Sequence, residues 1–409
     1  MVDDSRARSF FWNVAFVLLF TLLLVCLTDL IFGLLSLKRF AAGTLENANA
    51  YERIYYRVTW AAIIFVCTSL TWFRVLPSVV IVLACAICTE VGAFAIYGAI
   101  TARRFTPSSP LVSDRFIPHP LLQGIPRPGK FGPYTHTETN LRLTVNDQKV
   151  ADATTIFAYG GSTTYDLGVN DENTWSSHLS KLLGSRFVVE NHGVPGYSTV
   201  EHIVQAAFDF RSNRPKCAIF YIGWNDLRNS NIKGLHADYS DFHLLTQPTN
   251  LAIYPTQSRI TRRSVFISMI SNLGMREIEL RGEPRHEYDA RLSRIYRDNV
   301  ALIAKISGHF GVTPIFVPQV LNYERFTREL ASSRRQWMPL VFEIDVKQLM
   351  PQMNADLASA ANESGSQYLD DVLQIEWADA DFVDNGHFSP SGSHKFARAI
   401  SKKVIEVCS

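Results

Sequence analysis

The chain has 409 residues and a formal charge of +2. The length leaves room for two or three domains, and the near-neutral charge gives no footprint for nucleic acid. Hydrophobic residues make up 47% of the sequence, an ordinary share that is unevenly spread and so points to a segregated N-terminal part.

Residues 9–37 are almost wholly apolar, from Ser9-Phe10-Phe11-Trp12 to Leu34-Leu35-Ser36-Leu37. A second apolar stretch is broken by Arg74, Pro77 and Glu90. About 20 apolar residues cross a bilayer, so hydropathy predicts three transmembrane helices over about 9–37, 56–74 and 76–100, within a membrane region 1–104. A cleaved signal peptide is the competing reading of 1–37, but its apolar core would be too long. The run Tyr51, Arg53, Tyr55, Tyr56 and Arg57 suits an interfacial belt. With the N-terminus inside, Arg6, Arg8 and Arg74 lie on the inner side. Lys38, Arg39, Arg53, Arg57, Arg103 and Arg104 then lie outside, which is the wrong way round for the positive-inside rule. Asp29 and Glu90 are acids within the predicted spans; intramembrane acids often mark function, but a helix-packing hydrogen bond or snorkelling to Arg57 serves as well, and no chemistry is assigned to them.

Cys26, Cys67, Cys85 and Cys88 lie in the apolar stretches and read as small apolar side chains. Cys217 and Cys408 stand apart from them. They can pair, but two cysteines are not a disulfide framework.

Residues 105–138 are rich in proline and glycine and read as a linker and approach segment. From 139 to 409 the pattern is α/β. Strands are predicted over 141–145, 154–159, 187–191, 217–222, 312–318 and 367–369. Helices are predicted over 175–183, 199–211, 288–309, 339–363 and 391–407. Residues 229–287 read as an insertion or lid. Its arginines Arg259, Arg262, Arg263, Arg276, Arg281 and Arg285 form a basic face, a membrane contact or a glycan-binding edge. Strands alternating with helices imply a flavodoxin-like parallel sheet with helices on both faces, in three layers. The active site of such a sheet lies outside the C-terminal strand ends.

Four short pieces fall at such ends. Gly160-Gly161-Ser162-Thr163-Thr164 follows the first long strand, and Asn191-His192-Gly193-Val194-Pro195-Gly196 follows the next. Gly223-Trp224-Asn225-Asp226 follows the third, and Asp384-Asn385-Gly386-His387 precedes the last helix. A serine hydroxyl needs a base to become a nucleophile, and that base needs a third group to hold its tautomer. Serine, histidine and aspartate are all present here. The glycine two residues after the serine that a Gly-x-Ser-x-Gly elbow requires is missing.

Together the four pieces resemble the SGNH (GDSL-type) hydrolase family over roughly 115–409. The segment Phe116-Ile117-Pro118-His119-Pro120 is similar to that of bacterial members whose catalytic domain follows a membrane anchor. The resemblance implies Ser162 as nucleophile, His387 as general base and acid, and Asp384 as its orienting partner. It implies an oxyanion hole from the N–H groups of Ser162 and Gly196 and the amide of Asn225, with Gly193 the runner-up glycine. The first block departs from the family's Gly-Asp-Ser. Trp224, in the variable place of the third block, reads as an apolar wall, a sugar-stacking face or a core aromatic. No metal or organic cofactor is implied.

The expected function is that of a membrane-anchored serine esterase of the bacterial inner membrane. It would act outside the cytoplasm on the O-acyl esters of an envelope glycan or a lipid. The alternatives are an O-acyltransferase modifying an exported polysaccharide and a non-catalytic scaffold of an envelope-assembly complex.

Overall fold

The computed structural model describes residues 12, 14–16, 18–20, 86–93, 95, 115–146, 150, 153–251, 264–267, 282–326, 336–338 and 340–409. The chain divides into two compact units, one of residues 1–108 with 257–276 and one of 109–256 with 277–409. In the first unit the described pieces are helical. The Glu90 carboxylate accepts from the Ser264 hydroxyl at 2.7 Å and from the N–H groups of Val265 and Phe266. It thereby meets the unpaired amides at the start of a helical turn.

The expected N-terminal bundle of three transmembrane helices has to be corrected. No helix among the described residues is long and apolar enough to cross a membrane. The described helical pieces of that region are short, whereas a span needs about 20 continuous apolar residues. Most of 9–37, 56–74 and 76–100 lies outside the described residues, as do Asp29, Cys26, Cys67 and Cys85. Arg259, Arg262, Arg263, Arg276 and Arg281 also lie outside them.

The second unit is built on five parallel strands: β5 (Thr154–Gly160), β6 (Phe187–Asn191), β7 (Cys217–Tyr221), β8 (Thr313–Val317) and β11 (Gln367–Tyr368). Their spatial order is β11-β8-β7-β5-β6, which is the flavodoxin-like order and reverses direction around β5. Short antiparallel pairs join β1 (Phe116–Ile117) to β2 (Ile125–Pro126) and β3 (Gly129–Phe131) to β4 (Tyr134–His136). A third joins β9 (Gln336–Met338) to β10 (Val341–Phe342).

Side chains alternate across a strand, and here both faces are covered. Phe157, Tyr159, Phe220 and Phe316 point to one core, shared with helices α3 (Thr199–Ser212), α5 (Ala290–Phe310) and α6 (Val346–Glu363). Ile156, Ala158, Ile219, Tyr221 and Val317 point to the other, shared with α2 (Trp175–Leu183) and α7 (Pro390–Cys408). The central strands are therefore continuous apolar runs, as parallel strands buried on both faces must be.

Two local expectations differ. Residues 141–145 do not form a strand. Arg142 alone bridges to His136 and Asn191, and its buried guanidinium turns in to Asp171 at 3.0 Å. The helix expected from 339 starts at Val346, since 341–342 pairs with 336–338.

Cys217, at the start of the central strand, is bonded to Cys408 at the end of the last helix, with a Cα–Cα separation of 5.8 Å. Both residues are buried. The bond closes a loop with a sequence separation of 191, and long closed loops lose the most unfolded-state entropy. Replacing either cysteine by serine is expected to lower stability by about 2–5 kcal/mol, read as a fall in the urea midpoint. An unchanged midpoint would contradict a role for the bond in holding α7 to the sheet.

Candidate active site

β5 ends at Gly160, and its chain enters α1 (Ser162–Tyr165) at once. Ser162 therefore sits at the first position of a helix, at the C-terminal edge of the sheet next to the switch in strand order. Its hydroxyl lies 2.7 Å from His387 Nε2, and His387 Nδ1 lies 2.7 Å from Asp384 Oδ2. A carboxylate can only accept, so Nδ1 carries its proton. Nε2 is then free to accept from the serine.

Asp384 is held by its own loop. Its Oδ1 accepts from the N–H groups of Gly386 and His387 at 2.9 and 2.8 Å. This is an Asx turn, and it explains the Asp-x-x-His spacing: one oxygen shapes the turn while the other meets the imidazole. The Asp384 side chain is 53% exposed. The burial it has would raise its pKa, but the His387 contact and the two N–H bonds outweigh this and hold it down to about 2.

The acid–histidine loop is braced from the end of β8. Asn322 N–H donates to the Asn385 carbonyl at 2.8 Å. Arg325 Nε donates to Asp379 at 2.7 Å, and its Nη2 reaches the Phe382 carbonyl at 3.2 Å. Trp224 packs from the other side, with its ring 5.4 Å from that of His387. It also joins the core beside the sheet, so it supports the base as well as bounding the site.

Two donors stand at Ser162: its own N–H and the Asn225 amide beside Gly161. The former, at the first position of α1, has no intrahelical acceptor. Asn225 Nδ2 donates to the Tyr197 carbonyl at 2.8 Å, which leaves its second N–H available. A Cβ on Gly161 would stand 2.3 Å from that Nδ2. Gly161 is therefore required for the Asn225 amide to approach this closely. Gly193 N–H is already used, donating to Asn191 Oδ1 at 2.9 Å. Gly196 stands in the tight turn after β6 with φ +87°. The structure therefore brings together Ser162, His387 and Asp384, sets the Asn225 amide against Gly161 beside the serine, and turns Gly193 inward.

Several residues that matter here carry no motif. Asp166 ends α1 in the left-handed region with φ 63°. It is fully buried and accepts from Trp175 N–H at 2.6 Å and from the Ser393 hydroxyl at 2.8 Å. It so ties the serine's helix to α2 and to α7. Burial raises its carboxyl to about 7, although the Trp175 and Ser393 bonds and the charge of Arg142 pull it down. The approach segment lies over the same region. His136 Nδ1 faces the Arg127 carbonyl at 2.8 Å, and its Nε2 meets Tyr165 OH at 2.8 Å. Burial lowers His136 to about 4, so the neutral ring accepts from the tyrosine. Tyr197 OH donates to the Gly124 carbonyl.

No protein-family model matches the chain, and no curated protein matches it. Among solved structures it is similar to a GDSL-like lipase from Bacteroides thetaiotaomicron, with 12% identity over 64% of this chain and 92% of that one, at a TM-score of 0.36. It is also similar to a mutant of an acetyl-xylooligosaccharide esterase from Geobacillus, with 14% identity over 63% and 96% and a TM-score of 0.36. TesA is similar at 11% identity over 62% and 99%, with a TM-score of 0.38.

The folded value of Asp166 lies above its ordinary 3.8. Native Asp166 therefore keeps its proton when the unfolded chain has lost it, and its contribution to stability falls as pH rises from about 4 through about 7. Asparagine tolerates the left-handed backbone and does not titrate. The stability of wild type relative to Asp166→Asn, read from urea midpoints, is expected to fall between pH 5 and pH 8. A constant difference would contradict the buried carboxyl.

Proposed function

We propose that this chain is a serine hydrolase of the SGNH type that cleaves O-acyl esters through an acyl-serine intermediate. The observation that carries the reading is the unbroken relay Ser162 Oγ–His387 Nε2 and His387 Nδ1–Asp384, both contacts at 2.7 Å, with the Asn225 amide beside it. Such a relay is of no use to a non-catalytic scaffold.

The reaction follows from these atoms. Ser162 Oγ attacks the ester carbonyl carbon as His387 Nε2 takes its proton. The C=O π pair moves to oxygen, where the N–H groups of Ser162 and Gly196 and the free N–H of Asn225 receive the charge. The C–O bond to the alcohol then breaks, and His387 gives its proton to the departing oxygen. Water repeats the sequence: His387 removes its proton, the hydroxide attacks the acyl carbon, and the acid leaves as Ser162 regains its proton. Asp384 stays ionised throughout, since its carboxyl is held at about 2, and it stabilises the imidazolium in each half-reaction.

The substrate we assign is an O-acylated glycan of the cell envelope, by the resemblance of the four motifs and of the approach segment. The compartment we assign is one outside the cytoplasm. The Cys217–Cys408 bond supports this, because structural disulfides persist in oxidising compartments.

Wild type is expected to hydrolyse p-nitrophenyl acetate and to be labelled by a fluorophosphonate. Ser162→Ala should lose the label and at least about a thousandfold in kcat. Asp384→Asn should keep the fold while losing about a hundred- to ten-thousandfold in kcat, because the wrong tautomer is then held. Equal labelling of wild type and Ser162→Ala would sink the assignment of the nucleophile.

A further inference from the structure

The Gly196 N–H, assigned to the oxyanion site in the proposed mechanism, belongs to the peptide group Pro195–Gly196. A trans peptide is planar, so its C=O and N–H point in opposite directions, and fixing one fixes the other. The Pro195 carbonyl accepts a hydrogen bond at 3.0 Å from Gln247 Nε2. Gln247 lies on α4 (His243–Asn250), in the segment that follows the third motif, and its side chain is fully buried. The amide lies flat against the glycine: a Cβ at 196 would stand 2.4 Å from Gln247 Oε1 and 2.9 Å from Nε2. Gly196 is thus required twice, by its φ of +87° and by this contact.

The helix carrying Gln247 is itself anchored to the same loop. His243, one turn earlier on the same face, meets Glu201 Oε1 at 2.8 Å. Glu201 also accepts from Ser198 N–H at 2.9 Å and from Ser198 Oγ at 2.7 Å. Both residues of the pair are buried. Burial raises the Glu201 carboxyl, but the charge and hydrogen bond of His243 and the Ser198 bonds bring it below its ordinary value. Two residues of α4 therefore hold the two ends of Pro195–Ser198, Gln247 directly and His243 through Glu201, while Asn225 holds the Tyr197 carbonyl between them.

The geometry points to Gln247 as a positioning residue for the reaction: its amide fixes the plane of the Pro195–Gly196 peptide and so aims the Gly196 N–H at the developing oxyanion. A donor on the carbonyl of a peptide also polarises the N–H on its other side. Gln247 touches no reacting atom, and its effect falls on the transition state, where the oxygen carries charge. The inference rests on the esterase reading above.

The test is steady-state hydrolysis of p-nitrophenyl acetate by wild type, Gln247→Met and Gln247→Glu, with inhibition by phenylboronic acid measured on each. Methionine keeps the length of the side chain without the donor. Glutamate sets a carboxylate against the Pro195 carbonyl. A serine–boronate adduct is tetrahedral and anionic, so it reports transition-state binding. Removing one donor outright costs about a hundred- to a thousandfold, so a misaimed donor in Gln247→Met is expected to cost about tenfold or more in kcat. KM should stay within about twofold, and the inhibition constant for the boronate should rise in step with the loss of kcat. Gln247→Glu should lose at least as much, and it serves alone if the methionine variant does not fold. Unchanged kcat, or a loss confined to KM with boronate binding intact, would overturn the role. Wild-type hydrolysis that is absent, or equal in Ser162→Ala, would overturn the esterase reading and this role with it. An active wild type with equally active Gln247 variants would overturn the positioning role alone.

Discussion

The hydrogen bond between Ser162 Oγ and His387 Nε2 joins residues 225 apart in sequence. Neither residue can hold the other in place by local structure. The serine belongs to the turn after the first long strand of the sheet, and the histidine to the turn before the last helix. Their separation of 2.7 Å therefore depends on every strand register between them. A hydroxyl displaced by an ångström is no longer a nucleophile in reach of its base. The parallel order β11-β8-β7-β5-β6 brings the C-terminal ends of the strands to one edge; the first three motif loops leave from it, and the Asp384–His387 turn before α7 meets Ser162 there.

The buried polar groups around that edge act as cross-ties. Asp166 fastens the serine's helix to α7 through Ser393 and to α2 through Trp175. Asn322 and Arg325 fasten the acid–histidine turn to the end of β8. Gln247 and Glu201 fasten the glycine turn to α4 and α3. Each tie buries polar atoms that would be costly if unpaired. The loops are thus set in place before any substrate arrives, and fixed donors that need no reorganisation are the main source of catalysis in acyl transfer. At the far end of α7, the Cys217–Cys408 bond holds the helix to the first residue of the central strand.

Much of this was legible in the sequence. The strands over 154–160, 187–191 and 217–221 are apolar runs bounded by glycine, and the helices over 175–183 and 199–212 begin at Thr174 and Ser198, good capping residues. The positions of Ser162, Gly196 and Asn225 follow from strand ends, and that of His387 from the start of the last helix. Three things were not legible, each for a physical reason. Hydropathy over the first hundred residues predicted three spans, but no described helix is both long and apolar enough to form one. The alternation at 141–145 looked like a strand, but Arg142 alone bridges there, with its guanidinium turned in to Asp171. Gln247 meets Pro195 across 52 residues, and nothing local to Thr246-Gln247-Pro248 marks a contact made only in the folded chain. Asp166 did leave a trace, as an acid at the close of the first motif's helix, where a solvated cap is the simpler reading.

The most direct test of the account is the mass of the protein itself during turnover. Mixed with excess p-nitrophenyl acetate and quenched in acid within milliseconds, the intact chain should gain one acetyl group, and fragmentation should place it on Ser162. A chain that turns over the ester without carrying an acyl group, or that carries it on another residue, would contradict the covalent mechanism built on Ser162, His387 and Asp384.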